Sequence, residues 1–228
     1  MKPRLLFCLF AIAVSIVGTS CEAQQGTSDN LVSKPVANAN ANNAPIAANK
    51  NSSVTVAETA KTEPFKKTVE LHGIKFVVES PNAKADNSVT ITPTGLSVSN
   101  EPIVVKVNGD VSDADVGDLN VDQSPEIYVF YRERDGLKRA RVVGYSANNK
   151  KSLSEISFRE PSIEMPEYAG YKGEDEMIVI ENVLSHRFPI FDGIGPDAKK
   201  TGKTRIVQYK IKPGEATWQF YVFRKDEY

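Results

Sequence analysis

Cysteine and histidine are nearly absent from this sequence: 228 residues hold two of each, Cys8 and Cys21, His72 and His186. That scarcity excludes a tetrahedral zinc centre of the usual Cys/His kind, a disulfide framework, and a papain-like Cys/His pair within a folded domain. Aromatic residues are missing from a long N-terminal stretch as well. Phe7 and Phe10 stand in the first ten positions, and the other seventeen of nineteen fall from Phe65 onward. The folding unit is therefore expected at residues 65–228, a size at which a domain buries roughly 68–70 % of its unfolded surface and needs no covalent staple. No G-x-S-x-G nucleophile elbow and no phosphate-binding loop occurs. Among 29 acidic residues no motif singles out a catalytic pair, so no enzyme is expected. A formal charge of −1 gives no reason to expect a nucleic-acid partner.

What is present at the N-terminus is an export pattern. Lys2 and Arg4 precede an apolar run of thirteen residues, 5–17, interrupted only by Ser15, a length typical of a signal-peptide core and short of a bilayer span. The polar run Thr-Ser-Cys-Glu-Ala-Gln-Gln follows too early for the alternative, a transmembrane helix. The stretch "VGTSC" resembles a bacterial lipobox, with Gly18 where that motif most often has Leu. The resemblance implies loss of residues 1–20, lipidation of Cys21 and a firm membrane anchor through several acyl chains. Glu22 stands in place of the Asp that resembles an inner-membrane retention signal, which favours the outer membrane. Ordinary signal-peptidase cleavage would instead release the protein into the periplasm. Removal of Lys2 and Arg4 leaves 26 basic against 29 acidic residues.

Residues 21–64 read as the lipidated cysteine and a disordered linker. Seven Asn and nine Ala lie in 22–62 with no aromatic and no periodicity, so ordering this segment would bury too little apolar surface to offset its entropy. As a random coil it spans roughly 35 Å. From Phe65 the pattern is that of β-strands. Val69 and Leu71 alternate with polar residues, then Ile74, Phe76 and Val78 do so in shifted phase after His72-Gly73. Further strands are expected at 89–92, 96–99, 103–107, 126–134, 137–145, 153–158, 177–181, 188–191, 205–212 and 217–224. Turn dipeptides between them predict an all-β domain, an antiparallel β-sandwich or a barrel-like sheet. Three hairpins are expected. Asp135-Gly136 calls for a type I′ turn pairing Arg134 with Leu137 and Glu133 with Lys138. Pro213-Gly214 joins the last two strands, with Val207, Tyr209 and Ile211 facing Trp218, Phe220 and Val222 in the core. Asn108-Gly109 is the third.

Two polar clusters carry chemistry. In "DVSDADVGDLNVDQSPEI", Asp118, Asn120 and Asp122 stand at alternate positions like the first ligands of a calcium loop, with Glu126 at the ninth. Gln123 stands where such a loop has glycine, and Val129 where it has a bidentate Glu. The alternative is a set of Asx-turns leading into strand 126–134. In "YRERDGLKRAR", Arg132, Arg134, Lys138, Arg139 and Arg141 crowd one hairpin. It reads either as a solvated turn with a weak Glu133–Lys138 ion pair, about 0.2–1 kcal/mol, or as a basic finger for an acidic cleft. His72, at a turn, and His186, among aromatics, are expected to be structural or solvent-facing.

The segments "DLNVDQSPEIYVF", "VVGYSANNKKSLSEI", "GYKGEDEMIVIENVLSHRFPIF" and "TRIVQYKIKPGEATWQF" resemble the periplasmic inhibitors of invertebrate-type (I-type) lysozyme found in Gram-negative bacteria. The resemblance runs through most of residues 65–228. It implies a mostly antiparallel β fold, possible dimerisation, a non-enzymatic role, and an I-type lysozyme as partner, its active site plugged by a hairpin loop. That loop falls on Arg134, Asp135, Gly136, Leu137, Lys138, Arg139 and Ala140, where the family has a Ser-Gly-type stretch followed by Tyr. Here Lys138 or Arg139 would pair with the two catalytic carboxylates of the glycosidase. A diverged module binding another envelope protein or an anionic glycan is the second expectation.

Overall fold

The computed structural model describes residues 63–193 and 195–228. The expected export signal, Cys21 and the linker up to residue 62 lie outside the described residues. Twelve strands and two short 3-10 turns make up the rest, with no α-helix among the described residues. The fold is all-β and almost wholly antiparallel, and it combines the two expected architectures. A four-stranded sheet has the order β1 (Phe65–Leu71), β2 (Ile74–Ser80), β3 (Ser88–Thr94), β4 (Ile103–Lys106). The remaining strands are β5 (Gly109–Gly117), β6 (Glu126–Glu133), β7 (Ala140–Ser146), β8 (Ser154–Ser157), β9 (Glu176–Ile180), β10 (Val183–Asp192), β11 (Lys199–Pro213) and β12 (Trp218–Glu227). They form one eight-stranded sheet ordered β5-β6-β7-β8-β12-β11-β10-β9. This sheet curls until its ends meet. A Cβ on Gly117 of β5 would lie 3.1 Å from the Val179 side chain of β9, so glycine permits the near-closure.

Strand β6 shows why two layers form. Its residues from Glu126 to Phe130 are all buried, which requires cover on both faces. Alternation sends Tyr128 and Phe130 into the curled sheet, where they join Leu184, Phe188, Val207, Tyr209 and Ile211. Ile127 and Val129 point the other way and join Phe76, Val78, Val89 and Ile91 of the four-stranded sheet. Each such fully buried side chain contributes about 1.5–3 kcal/mol. Glu126 and Arg132 share the inward phase with Tyr128, so a charged group stands near each end of the barrel-like interior.

Several local expectations hold. Leu71 pairs with Ile74 across His72 (φ 52°) and Gly73 (φ 79°), a left-handed pair that lets the chain reverse tightly. Pro213 pairs with Trp218, and Val207, Tyr209 and Ile211 are buried. Trp218 and Phe220 pack against the core, but Val222 is 39 % exposed. The register shift at Gln208/Tyr209 alters the alternation along this pair.

Other expectations are corrected. Residues 96–99 form no strand. Leu96 is buried, its N–H bonds the Asn100 side chain, and the N–H groups of Ser97, Val98 and Ser99 bond carbonyls of Lys150 and Lys151. Asn108-Gly109 makes no hairpin, because β4 pairs with β3 and β5 with β6. The chain crosses there from one sheet to the other, and Gly109 presses against β6 so closely that a Cβ would sit 2.3 Å from the Arg132 carbonyl oxygen. Asn87 and Asn82 hold the crossing: Asn87 Nδ2 donates to Gly109 O at 2.7 Å, and Asn82 both donates to and accepts from the Val111 backbone. Strand β5 itself was not expected, because its buried residues Val111 and Ala114 are three apart across a bulge.

Candidate functional site

The hairpin between β6 and β7 is built differently from the expected type I′ turn. Arg132 pairs with Ala140, and the Glu133 N–H donates to Arg139 O at 2.9 Å, so the register slips by one residue and the loop lengthens. Arg134–Leu137 and Glu133–Lys138 are not pairs. The cause is the Asp135 side chain, whose Oδ1 accepts the N–H groups of both Leu137 and Lys138 at 3.0 Å. Gly136 (φ 83°) and Lys138 (φ 51°) take the left-handed positions.

The arginines do not form a free basic finger. Arg134 donates to the Ala83 and Lys84 carbonyls at 2.8 and 2.7 Å and pairs with Asp110. Arg139 bonds Glu133 at 3.0 Å and Asp135 at 2.7 Å. Arg141, a buried residue, forms ion pairs with Glu133 at 2.9 Å and Glu160 at 2.8 Å. Glu133 thus serves two arginines rather than Lys138. Lys138 has no ion-pair partner among the described residues. It shares the tip with Leu137, which is 47 % exposed. Ala140 is buried at the start of β7. Beside the tip lies a cleft of about 590 Å³ whose lining includes Leu137, Pro161, Ile163 and Tyr171.

Beneath the hairpin is a buried relay that the sequence did not disclose. Tyr209 and Tyr168 join hydroxyl to hydroxyl; Tyr168 then donates to His186 Nδ1 at 2.8 Å, and His186 Nε2 donates to Asp175 Oδ2 at 2.6 Å. Tyr171 donates to the same oxygen at 2.7 Å. The other oxygen accepts the Ala140 N–H at 2.9 Å and Arg132 at 3.3 Å. Burial lowers the basicity of His186 and keeps its ring neutral. Burial alone would raise the Asp175 carboxyl, but the His186 hydrogen bond and its other donors hold it below the usual carboxylate range. Burial also raises all three tyrosines. The His186 and Asp175 side chains are wholly shielded from solvent, so the constellation braces the hairpin and offers substrate no access. His186 lies in phase with Leu184 and Phe188 on β10, a signal that marks it as buried. Nothing local in the sequence marks Asp175.

At the other end of the interior stands the acidic loop. Asp118 accepts the N–H groups of Asp122 and Gln123 at 3.0 and 2.9 Å, and Asp122 accepts that of Ser124 at 2.7 Å. The Asp122–Ser124 bond, with the Asp122 N–H on Asn120 Oδ1 at 3.3 Å, is of the expected Asx kind, whereas Asp118 reaches four and five residues on and caps the whole loop. Asn120 donates to Asp122 at 2.8 Å. Gln123, at the glycine position, takes φ 66°. His72 Nε2 lies 3.5 Å from Asp118 Oδ2. Carboxylate oxygens of Asp118, Asp122 and Glu126 lie within 4.8 Å of one another. Glu126 is fully buried, and burial, aided by Asp118 and Asp122, pushes its carboxyl up to about 8.

Among the described residues no helix is long and apolar enough to cross a membrane. No family model matches the chain, and no curated protein is significantly similar to it.

Proposed function

We propose that the domain is a non-enzymatic inhibitor, held at the bacterial cell envelope through Cys21 or free in the periplasm, that inserts the 134–140 hairpin tip into the cleft of an I-type lysozyme. The observation that carries this reading is the braced tip. Asp135, Arg139 and Arg134 fix the loop from both sides, while Leu137 and Lys138 remain for a partner. A loop ordered before binding loses little entropy on docking. Arg139, engaged with Glu133 and Asp135, is removed as the attacking cation, which leaves Lys138 to meet a glycosidase carboxylate pair.

The test is inhibition of an I-type lysozyme by the full chain at two salt concentrations. The reading expects inhibition that weakens at least roughly tenfold between low and high salt, because a Lys–carboxylate contact near the surface is screened. Lys138→Glu should abolish inhibition and shift stability by no more than about 0.5 kcal/mol. Absence of inhibition at low ionic strength rejects the proposal. The cleft beside the tip favours one second reading, a surface module for an anionic glycan or another envelope protein, with Lys172 among its lining residues.

A further inference from the structure

Glu126 presents an unanswered carboxyl oxygen. Its Oε2 accepts the Leu119 N–H at 2.7 Å and the Tyr128 hydroxyl at 3.3 Å, while Oε1 has no partner, although the residue is completely buried. Such a group costs free energy unless something positively charged or donating meets it. Ser146 stands directly across the β6–β7 ladder from Glu126, on the same face of the sheet, and its buried hydroxyl also lacks a partner. Two further carboxylates converge on Glu126. Asp118 and Asp122 each bring an oxygen within 4.8 Å of the others, and the Asp118 side chain is only 13 % exposed.

We infer that Asp118, Asp122 and Glu126 bind a divalent metal ion, calcium by size. A calcium shell with Ca–O distances of about 2.3–2.6 Å places opposite ligands about 4.6–5.2 Å apart, so these oxygens fit around one ion. Magnesium, at about 2.0–2.1 Å, demands a tighter octahedron. The backbone N–H groups on Asp118 and Asp122 orient these carboxylates and leave further lone pairs free for the metal. Glu126 closes the site from inside the barrel-like interior, and Asp122 closes it from the surface. The bound ion would tie the β5–β6 connection to the first residue of β6.

The test uses the full chain stripped with a chelator and titrated with terbium, then calcium or magnesium. Tyr128 contacts Glu126, so terbium luminescence excited through tyrosine reports this site. Calcium should displace terbium with an affinity on the order of 10⁻⁴ M or tighter, and magnesium should compete less well. Calcium at a hundredfold excess over its dissociation constant should raise Tm by roughly 5–10 °C. Glu126→Gln and Asp122→Asn should each weaken terbium and calcium binding at least tenfold. Asp122 is exposed, so its variant carries the test if Glu126→Gln fails to fold. Asp115→Asn, outside the cluster, should bind like the parent. The inference is overturned if no saturable luminescence appears at millimolar terbium, or if calcium leaves Tm unchanged. It is equally overturned if Asp122→Asn binds as tightly as the parent. In each case Oε1 and Ser146 would be satisfied by water alone.

Discussion

Replacing Asp175 by asparagine keeps the side chain's shape and removes only its charge and half of its accepting capacity. In the native protein the carboxylate accepts from His186, Tyr171, Ala140 and Arg132. The amide of the Asp175→Asn variant has one oxygen for these four donors. If that oxygen faces Ala140 and Arg132, its NH2 faces His186 and Tyr171. His186 can adapt by moving its proton to Nδ1 and accepting on Nε2, which reverses the hydroxyl chain through Tyr168 and Tyr209. Tyr171 can accept from that NH2, but its own O–H then has no acceptor, a cost of about 1–3 kcal/mol. Arg132 also loses its counter-charge, adding up to about 1 kcal/mol because it is partly exposed. The opposite orientation sets the NH2 against the Ala140 N–H and the Arg132 guanidinium and is worse. The expected loss is therefore about 2–3 kcal/mol, or roughly 5–10 °C in Tm for a domain of this size. Thermal unfolding followed by near-ultraviolet circular dichroism measures it, since the relay is rich in tyrosine. A Tm within about 1 °C of the parent would refute the claim that the relay braces the hairpin, because even the smallest of these costs shifts Tm further.

Three buried groups set the pH dependence of stability. Below about pH 6.5 the unfolded chain takes up a proton that buried His186 refuses, which by itself lowers stability by at most about 1.4 kcal/mol per pH unit, while Glu126, held up at about 8, gains a proton on folding between about pH 8 and 4.5 and offsets that loss. Lower still, Asp175 contributes stability above its unfolded value near 3.8 that is lost as pH falls through its depressed folded value. Urea unfolding at intervals from about pH 8 to 3 should show little net change between about pH 6.5 and 4.5 and a loss below that, and in His186→Gln stability should rise as pH falls through the upper window. Gly109→Ala should destabilise by about 3 kcal/mol, because its Cβ would collide with the Arg132 backbone at the crossing between sheets. A urea midpoint equal to the parent's would contradict that geometry.

The parts of this fold that were legible before the structure are those whose cause is local. The β1–β2 hairpin declares itself because His72-Gly73 supplies the left-handed turn and the apolar phase shifts across it. The all-β class follows from the turn dipeptides between short apolar runs, and the Asx-turns at Asn120 and Asp122 follow from the spacing of short polar side chains. Strand β5 was hidden because a bulge breaks the alternation between Val111 and Ala114. The slipped register at Asp135-Gly136 was hidden because one carboxylate out-competes the backbone for two N–H groups. The brace beneath the hairpin was illegible for a different reason. Asp175 lies 43 residues from Arg132 and 35 from Ala140, and no short-range pattern records a meeting at that separation. Glu126 was placed in the acidic loop by spacing alone. Its phase with Tyr128 and Phe130 marks it as buried, and burial is what makes its carboxylate demanding.

Strand β12 has a consequence for biosynthesis. It lies between β8, which it meets in parallel through Trp218 and Gln219, and β11. Of this sheet's eight strands, the one latest in the sequence thus occupies the middle. A ribosome-bound chain arrested before residue 218 would present β8 and β11 as two bare edges, each able to capture a strand from a neighbouring nascent chain. Closure of the sheet must wait for β12, and with so much long-range pairing it should be slow. Until then the chain depends on being kept apart from its copies.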